Sequence, residues 1–158
     1  MMRKQIINRS PKEPMSGDHA WLDLERLAQV GITSEERGHP IESALTTVGG
    51  PGWLASETGE QTVRLLFDEP QALRHIHLVF EEERRGRTHE FVLRWSKDGG
   101  RSYREILRQQ FTFSPPGATR EVEDYTVNLD GVTALELTIV PDISGGDARA
   151  SLISLRLG

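Results

Sequence analysis

From Val30 onward the chain alternates between apolar and polar positions. In the run 62–67, Val63, Leu65 and Phe67 share one face. In the run 73–80, Ile76, Leu78 and Phe80 share a face, and His75, His77 and Val79 take the other. Phe91, Leu93 and Trp95 repeat the pattern, as do Tyr125, Val127 and Leu129, and then Leu135, Leu137 and Ile139. The last run sets Ile153, Leu155 and Leu157 against Leu152, Ser154 and Arg156. A period of two puts successive side chains on opposite faces of a strand, one buried and one wet. Residues 104–113 make a further strand with a less clean pattern. Turn-forming clusters part these runs at 68–70, 97–100, 114–117, 130–131 and 144–146. Short strands spaced in this way predict an all-β fold, an antiparallel β-sandwich or jelly roll of about eight strands.

Residues 1–17 carry Pro11, Pro14, Gly17 and scattered charges without periodicity, and read as a flexible tail; residues 18–158 read as one domain. The stretch 18–29 fits two readings. Trp21, Leu24, Leu27 and Ala28 make a helical stripe, with Asp18 as N-cap and Gly31 as stop; a short turn leading into a strand fits equally well.

Composition narrows the function classes. The 24 acidic and 19 basic side chains leave a net charge of −5, which excludes nucleic-acid binding by bulk charge. No apolar run reaches the roughly 18 residues of a membrane span, and the basic N-terminus lacks the apolar segment of a secretion signal. The absence of cysteine excludes disulfides, thiolate metal sites and cysteine nucleophiles. A cytoplasmic location is the expectation. Nothing in the sequence sets an oligomeric state.

The order of several landmarks resembles the discoidin family (coagulation factor V/VIII C-type), within the galactose-binding-like β-sandwiches. The first is Ile32, Thr33, Ser34 and Glu35, followed by the run 39–45 from His39-Pro40 to Ala44-Leu45. Then come Gly52-Trp53 with Ser56, the strand 62–67, the strand and turn 91–103 with Asp98, Gly99, Gly100 and Tyr103, and the terminal pair 134–140 and 150–157. The resemblance implies a non-catalytic binding module that holds a carbohydrate or a protein ligand on loops at one end of the sandwich. A phospholipid headgroup is a third ligand class among such modules. Two departures qualify it. Many relatives have an Asp-Gly-Asp-like group after the Ala-Leu turn, which supplies a structural calcium ion; here 46–50 reads Thr, Thr, Val, Gly, Gly. Backbone carbonyls with Glu42 or Glu57 would be the remaining donors, so no cofactor is expected and a structural calcium is disfavoured. Galactose binders in the family often place a His after the first-loop Trp, where this chain has Leu54.

The densest polar cluster is 81–87, with Glu81, Glu82, Glu83, Arg84, Arg85 and Arg87, followed by His89. Forked guanidinium donors suit vicinal hydroxyls and carboxylated sugars. If the sandwich forms, this loop shares a rim with Trp53, whose ring could stack on a sugar. The ligand-binding set is therefore Trp53, Glu57, Arg84, Arg85, Arg87 and His89. The plainer reading is a solvated hairpin tip with Trp53 plugging the sandwich. Phe113, on the loop that continues through Ser114, Pro115, Pro116 and Gly117, is a third candidate, and core is its commoner role.

Three rival chemistries find less support. His75, His77 and Glu81 have the spacing of a cupin metal motif, but its flanking glycines and its second motif are missing. Residues 96–103 match one Asp-box, a structural turn that cannot build a propeller alone. No nucleophile elbow or phosphate loop occurs, so no catalytic residue and no metal ligand is assigned.

Overall fold

The computed structural model describes residues 20–47 and 49–158. Asp18 and the tail 1–17 lie outside the described residues. Among the described residues, two one-turn helices, α1 (Leu24–Leu27) and α2 (Glu42–Leu45), accompany eight strands: β1 (Ala28–Ile32), β2 (Trp53–Leu54), β3 (Gln61–Glu81), β4 (Arg87–Ser96), β5 (Arg104–Phe113), β6 (Arg120–Val140), β7 (Ser151–Leu152) and β8 (Ser154–Leu157). Among the described residues, no helix is long and apolar enough to cross a membrane. The helical stripe around Leu24 lasts one turn. Ala28 is already extended, at φ −142° and ψ 152°, and the chain runs straight into β1.

All pairings among the strands are antiparallel. β3 and β6 are long enough to belong to both layers. Their outer halves, paired from Gln61↔Ile139 to Leu66↔Ala134, sit in a sheet ordered β1-β3-β6-β4-β5. Their other halves, paired from His75↔Thr126 to Glu81↔Arg120, continue with β8 at the edge of β3. Register shifts between Leu66 and His75 mark the corner where both strands pass from one layer to the other. The clusters at 68–70 and 130–131 are therefore corners inside continuous strands, not hairpin ends. Gly131 supplies a positive φ of +71° there.

The faces follow the alternation. Val63, Leu65, Phe67, Ile76, Leu78, Phe80, Phe91, Leu93, Trp95, Leu135, Leu137 and Ile139 all join one buried core. The Phe80 and Phe91 rings meet across the layers at 5.0 Å between centroids. Full burial of each such side chain is worth about 1.5–3 kcal/mol. The last run departs from expectation. A bend at Ile153 separates β7 from β8, so Leu152 is buried along with Leu155 and Leu157, and Ile153 is only half-buried.

Candidate functional site

At one end of the sandwich, three loops converge on a groove of about 310 Å³. The first wall is the β3–β4 connection. Five residues must reverse the chain there, and the Glu82 carboxylate organises them. It accepts the backbone N–H of Arg84 at 2.9 Å and that of Arg85 at 3.4 Å, and the Arg87 Nε–H at 2.7 Å. Burial pushes the Glu82 carboxyl up, but the Arg84 N–H and the Arg87 guanidinium outweigh it and hold it below the usual range. With the turn closed in this way, Glu83 and Arg84 project from the tip, both exposed.

The second wall is the stretch 34–57. Ser34 knits it together: its Oγ accepts the N–H groups of Ser56 and Glu57 and donates to Gln61 Oε1 at 2.6 Å. Its carbonyl accepts the Trp53 indole N–H at 3.0 Å. Glu36 and His39 bond through their backbones to Leu54. The third wall is 141–153, where Arg149 donates to Glu36 Oε1 at 3.0 Å and so joins the second and third walls. The floor is Pro51, Leu54 and Ile153.

The charges balance. Glu81 pairs with Arg120, Glu82 with Arg87, and Glu36 with Arg149. The side chains of His39, Glu83 and Arg84 line the groove and have no hydrogen-bond or ion-pair partner among the described residues. Such a site offers one forked donor, one forked acceptor and an imidazole above an aliphatic floor.

The expected ligand set divides. Trp53, Arg84 and Arg87 border this groove. Glu57 and Arg85 are exposed outside its lining, and Arg85 pairs with Asp147 at 3.1 Å. Three expectations need correction. Trp53 is 1% exposed and presents no ring face for stacking. Arg87 is buried; it is held by Glu82, donates to the Pro141 carbonyl at 2.6 Å and lies 5.3 Å over the Phe113 ring. His89 is 1% exposed, inside the sandwich, with Nε2 2.6 Å from Glu121 Oε1 and the rings of Phe80, Phe91 and Phe113 around it. Phe113 is core as well. His39 and Arg149 were not anticipated. The first stood inside a recognised landmark; the second sits in a loop with no periodic signal.

The cupin-like triplet does not assemble. His77 Nδ1 lies 2.5 Å from Asp124, Glu81 is engaged by Arg120, and no metal-binding cluster of three or more His, Asp or Glu side chains occurs among the described residues. The Asp-box segment is the β4–β5 turn, where Asp98 accepts from Ser96 and Ser102.

Comparison with solved structures places this architecture. A pectin-binding carbohydrate-binding module superposes with a TM-score of 0.61 at 16% identity, over 84% of this chain and 91% of that one. The family 32 module of AlyQ, solved with 4,5-unsaturated mannuronic acid, gives 0.62 at 15% identity, over 89% and 98%. The family 32 module of C. perfringens NanJ, solved with galactose, gives 0.60 at 15%, over 82% and 92%. The fold is that of the galactose-binding-like β-sandwiches. These modules share that fold with discoidin domains. No family model matches the chain, and no curated protein matches it.

Proposed function

We propose that this chain is a non-catalytic carbohydrate-binding module whose ligand sits in the groove between residues 34–57, 81–87 and 141–153. The observation that carries the reading is the convergence there, over an apolar floor, of the Arg84, Glu83 and His39 side chains, which are unpaired among the described residues. A forked donor beside a forked acceptor matches adjacent sugar hydroxyls, each of which both gives and accepts a hydrogen bond. The volume of about 310 Å³ suits one or two sugar rings. With Trp53 buried, contact with the ring falls to Pro51, Leu54 and Ile153, so the affinity is modest.

Calorimetric titration against a panel of neutral, amino and uronic oligosaccharides tests this. Arg84→Ala removes charged hydrogen bonds worth about 1.5–3 kcal/mol, a loss of roughly tenfold or more in affinity. Arg85→Ala, outside the groove, leaves affinity unchanged. Heat from no sugar on the panel would overturn the reading. The missing stacking ring favours one alternative, a groove that takes a protein loop in a scaffold. A single stoichiometric partner, captured by the wild type and lost in Arg84→Ala while the sugar panel stays silent, would select it.

A further inference from the structure

Arg156 is a half-buried cation with no acidic partner among the described residues. It leaves the edge strand β8 and reaches the C-terminal end of α2. Nη2 donates to the Thr46 carbonyl at 2.7 Å; Nη1 donates to the Ala44 carbonyl at 3.1 Å and to its own Leu155 carbonyl at 3.2 Å. Burial lowers its pKa from the usual arginine value. A guanidinium held only by carbonyl dipoles is an unusual use of a charge, because burying it without a carboxylate costs solvation that several good hydrogen bonds must offset.

The stretch it grips follows the Ala-Leu turn, where the family resemblance implies a structural calcium ion. The residues present do not fit one. Calcium takes six to eight oxygens, usually with carboxylates among them. The carbonyls of Ala44 and Thr46 already face the guanidinium. The Glu42 carbonyl accepts the Thr46 N–H and the Thr46 hydroxyl, and the Gly49 carbonyl accepts the Ser43 hydroxyl. A dication at those oxygens would have to displace these donors beside a fixed positive charge. Glu25 and Glu42 border one neighbouring cleft, and Asp23 and Glu25 border another beside Arg156, but among the described residues no three acidic or histidine side chains come together as a metal site.

We infer that Arg156 serves as a covalently attached cation that orders the stretch 44–47, so that the loop end of this chain holds its shape without calcium. The inference is independent of what the groove binds.

Thermal melts and hydrogen exchange of the whole chain, in millimolar calcium and in excess chelator, test it. The wild type melts at the same temperature in both, with the same protection of the Thr46 amide. Arg156→Ala exchanges the amides of 44–46 about tenfold to a hundredfold faster, as loss of charged hydrogen bonds requires, and calcium does not restore them. Arg156→Lys keeps the charge but lacks the fork that spans two carbonyls, and falls between the two. If Arg156→Ala does not fold, Arg156→Lys and the wild-type comparison still decide. A wild-type melting temperature that rises with calcium and falls with chelator would overturn the inference, most clearly if Glu42→Gln abolished the response. Unchanged exchange in Arg156→Lys and Arg156→Ala would overturn it too.

Discussion

Inside the sandwich, His89 and Glu121 form a buried pair whose worth can be measured. Their side chains are 2% and 1% exposed, and Nε2 lies 2.6 Å from Oε1. The other carboxyl oxygen, Glu121 Oε2, accepts no N–H or O–H among the described residues other than what the neighbouring Glu123 carboxyl can offer when it carries a proton. Burial keeps the imidazole neutral, with a pKa lowered to about 4, and raises the carboxyl of Glu121. Substituting one member leaves the other buried and unpaired, at about 1–3 kcal/mol. Substituting both removes the orphan, and apolar replacements of buried polar pairs are often neutral or stabilising. His89→Leu and Glu121→Met should therefore each lose about 1–3 kcal/mol in urea denaturation at pH 7, while the double variant regains most of that loss. Single losses that sum to the double within about 0.5 kcal/mol would refute the pairing.

The same variant gives a pH signature. The imidazole binds its proton at 6.5 in the unfolded chain and only at about 4 in the native one. A depressed native pKa contributes stability that is present above pH 6.5 and lost as pH falls through 4. Fully expressed, that is about 3 kcal/mol. The stability difference between wild type and His89→Leu should shrink by that amount as the pH is lowered from 7 to 4. Glu123 acts in the opposite direction. Burial, and next the Glu121 carboxyl beside it, push it up to about 7 from 4.5, so its contribution is complete below pH 4.5 and lost as pH rises through 7. Both proteins carry Glu123, so its effect drops out of the difference, whereas the wild-type curve alone would mask the histidine. A difference that stays flat with pH would show that His89 is not desolvated as its surroundings require.

Two further outcomes follow from the walls of the groove. Gly52→Ala puts a Cβ 2.7 Å from the Leu152 carbonyl oxygen at a φ of +85°, and should lower the melting temperature by about 2–8 °C; an unchanged melt would mean that the β2–β7 ribbon yields freely. Arg87→Met breaks a buried ion pair and should cost about 3 kcal/mol in denaturation. If it folded with wild-type stability and lost sugar binding instead, Arg87 would be a ligand contact rather than a brace.

The faces of the strands were legible because each depends on one thing, the parity of apolar positions along a half-buried strand. Val63, Leu65 and Phe67 are buried as that parity demands, and so are Ile76, Leu78 and Phe80. The corners were not legible. Asp68, Glu69 and Pro70 carry a turn signal whether the strand ends or bends. Only the partner decides: Leu66↔Ala134 and His75↔Thr126 show β3 and β6 turning together. Ile153 failed for a related reason, since one bent residue resets the parity behind it. The site was half legible. The phase that buries Phe91, Leu93 and Trp95 also assigns His89 and Arg87 to the inner face. Reading those two by residue type, as part of a polar loop, put chemistry ahead of phase. Arg149 gave no signal, because its role depends on Glu36, which lies 113 residues earlier in the chain.

Arginine at this end of the molecule does two kinds of work, and the distinction decides how any mutational map must be interpreted. Arg87 braces the β3–β4 turn through Glu82, Arg149 ties two loops through Glu36, and Arg156 holds the end of α2 through carbonyls. Each of these holds a backbone segment in place, so its removal should show first in stability or exchange and only through shape in binding. The Arg84 side chain holds nothing among the described residues. An exposed guanidinium that stabilises no part of its own protein keeps its donors for something else, and its substitution should leave the melt untouched while the titration changes. A scan of these four arginines that reads both stability and affinity therefore separates scaffold from site. Equal loss of both quantities at Arg84 would remove the argument for a binding groove, whatever sugar was tried.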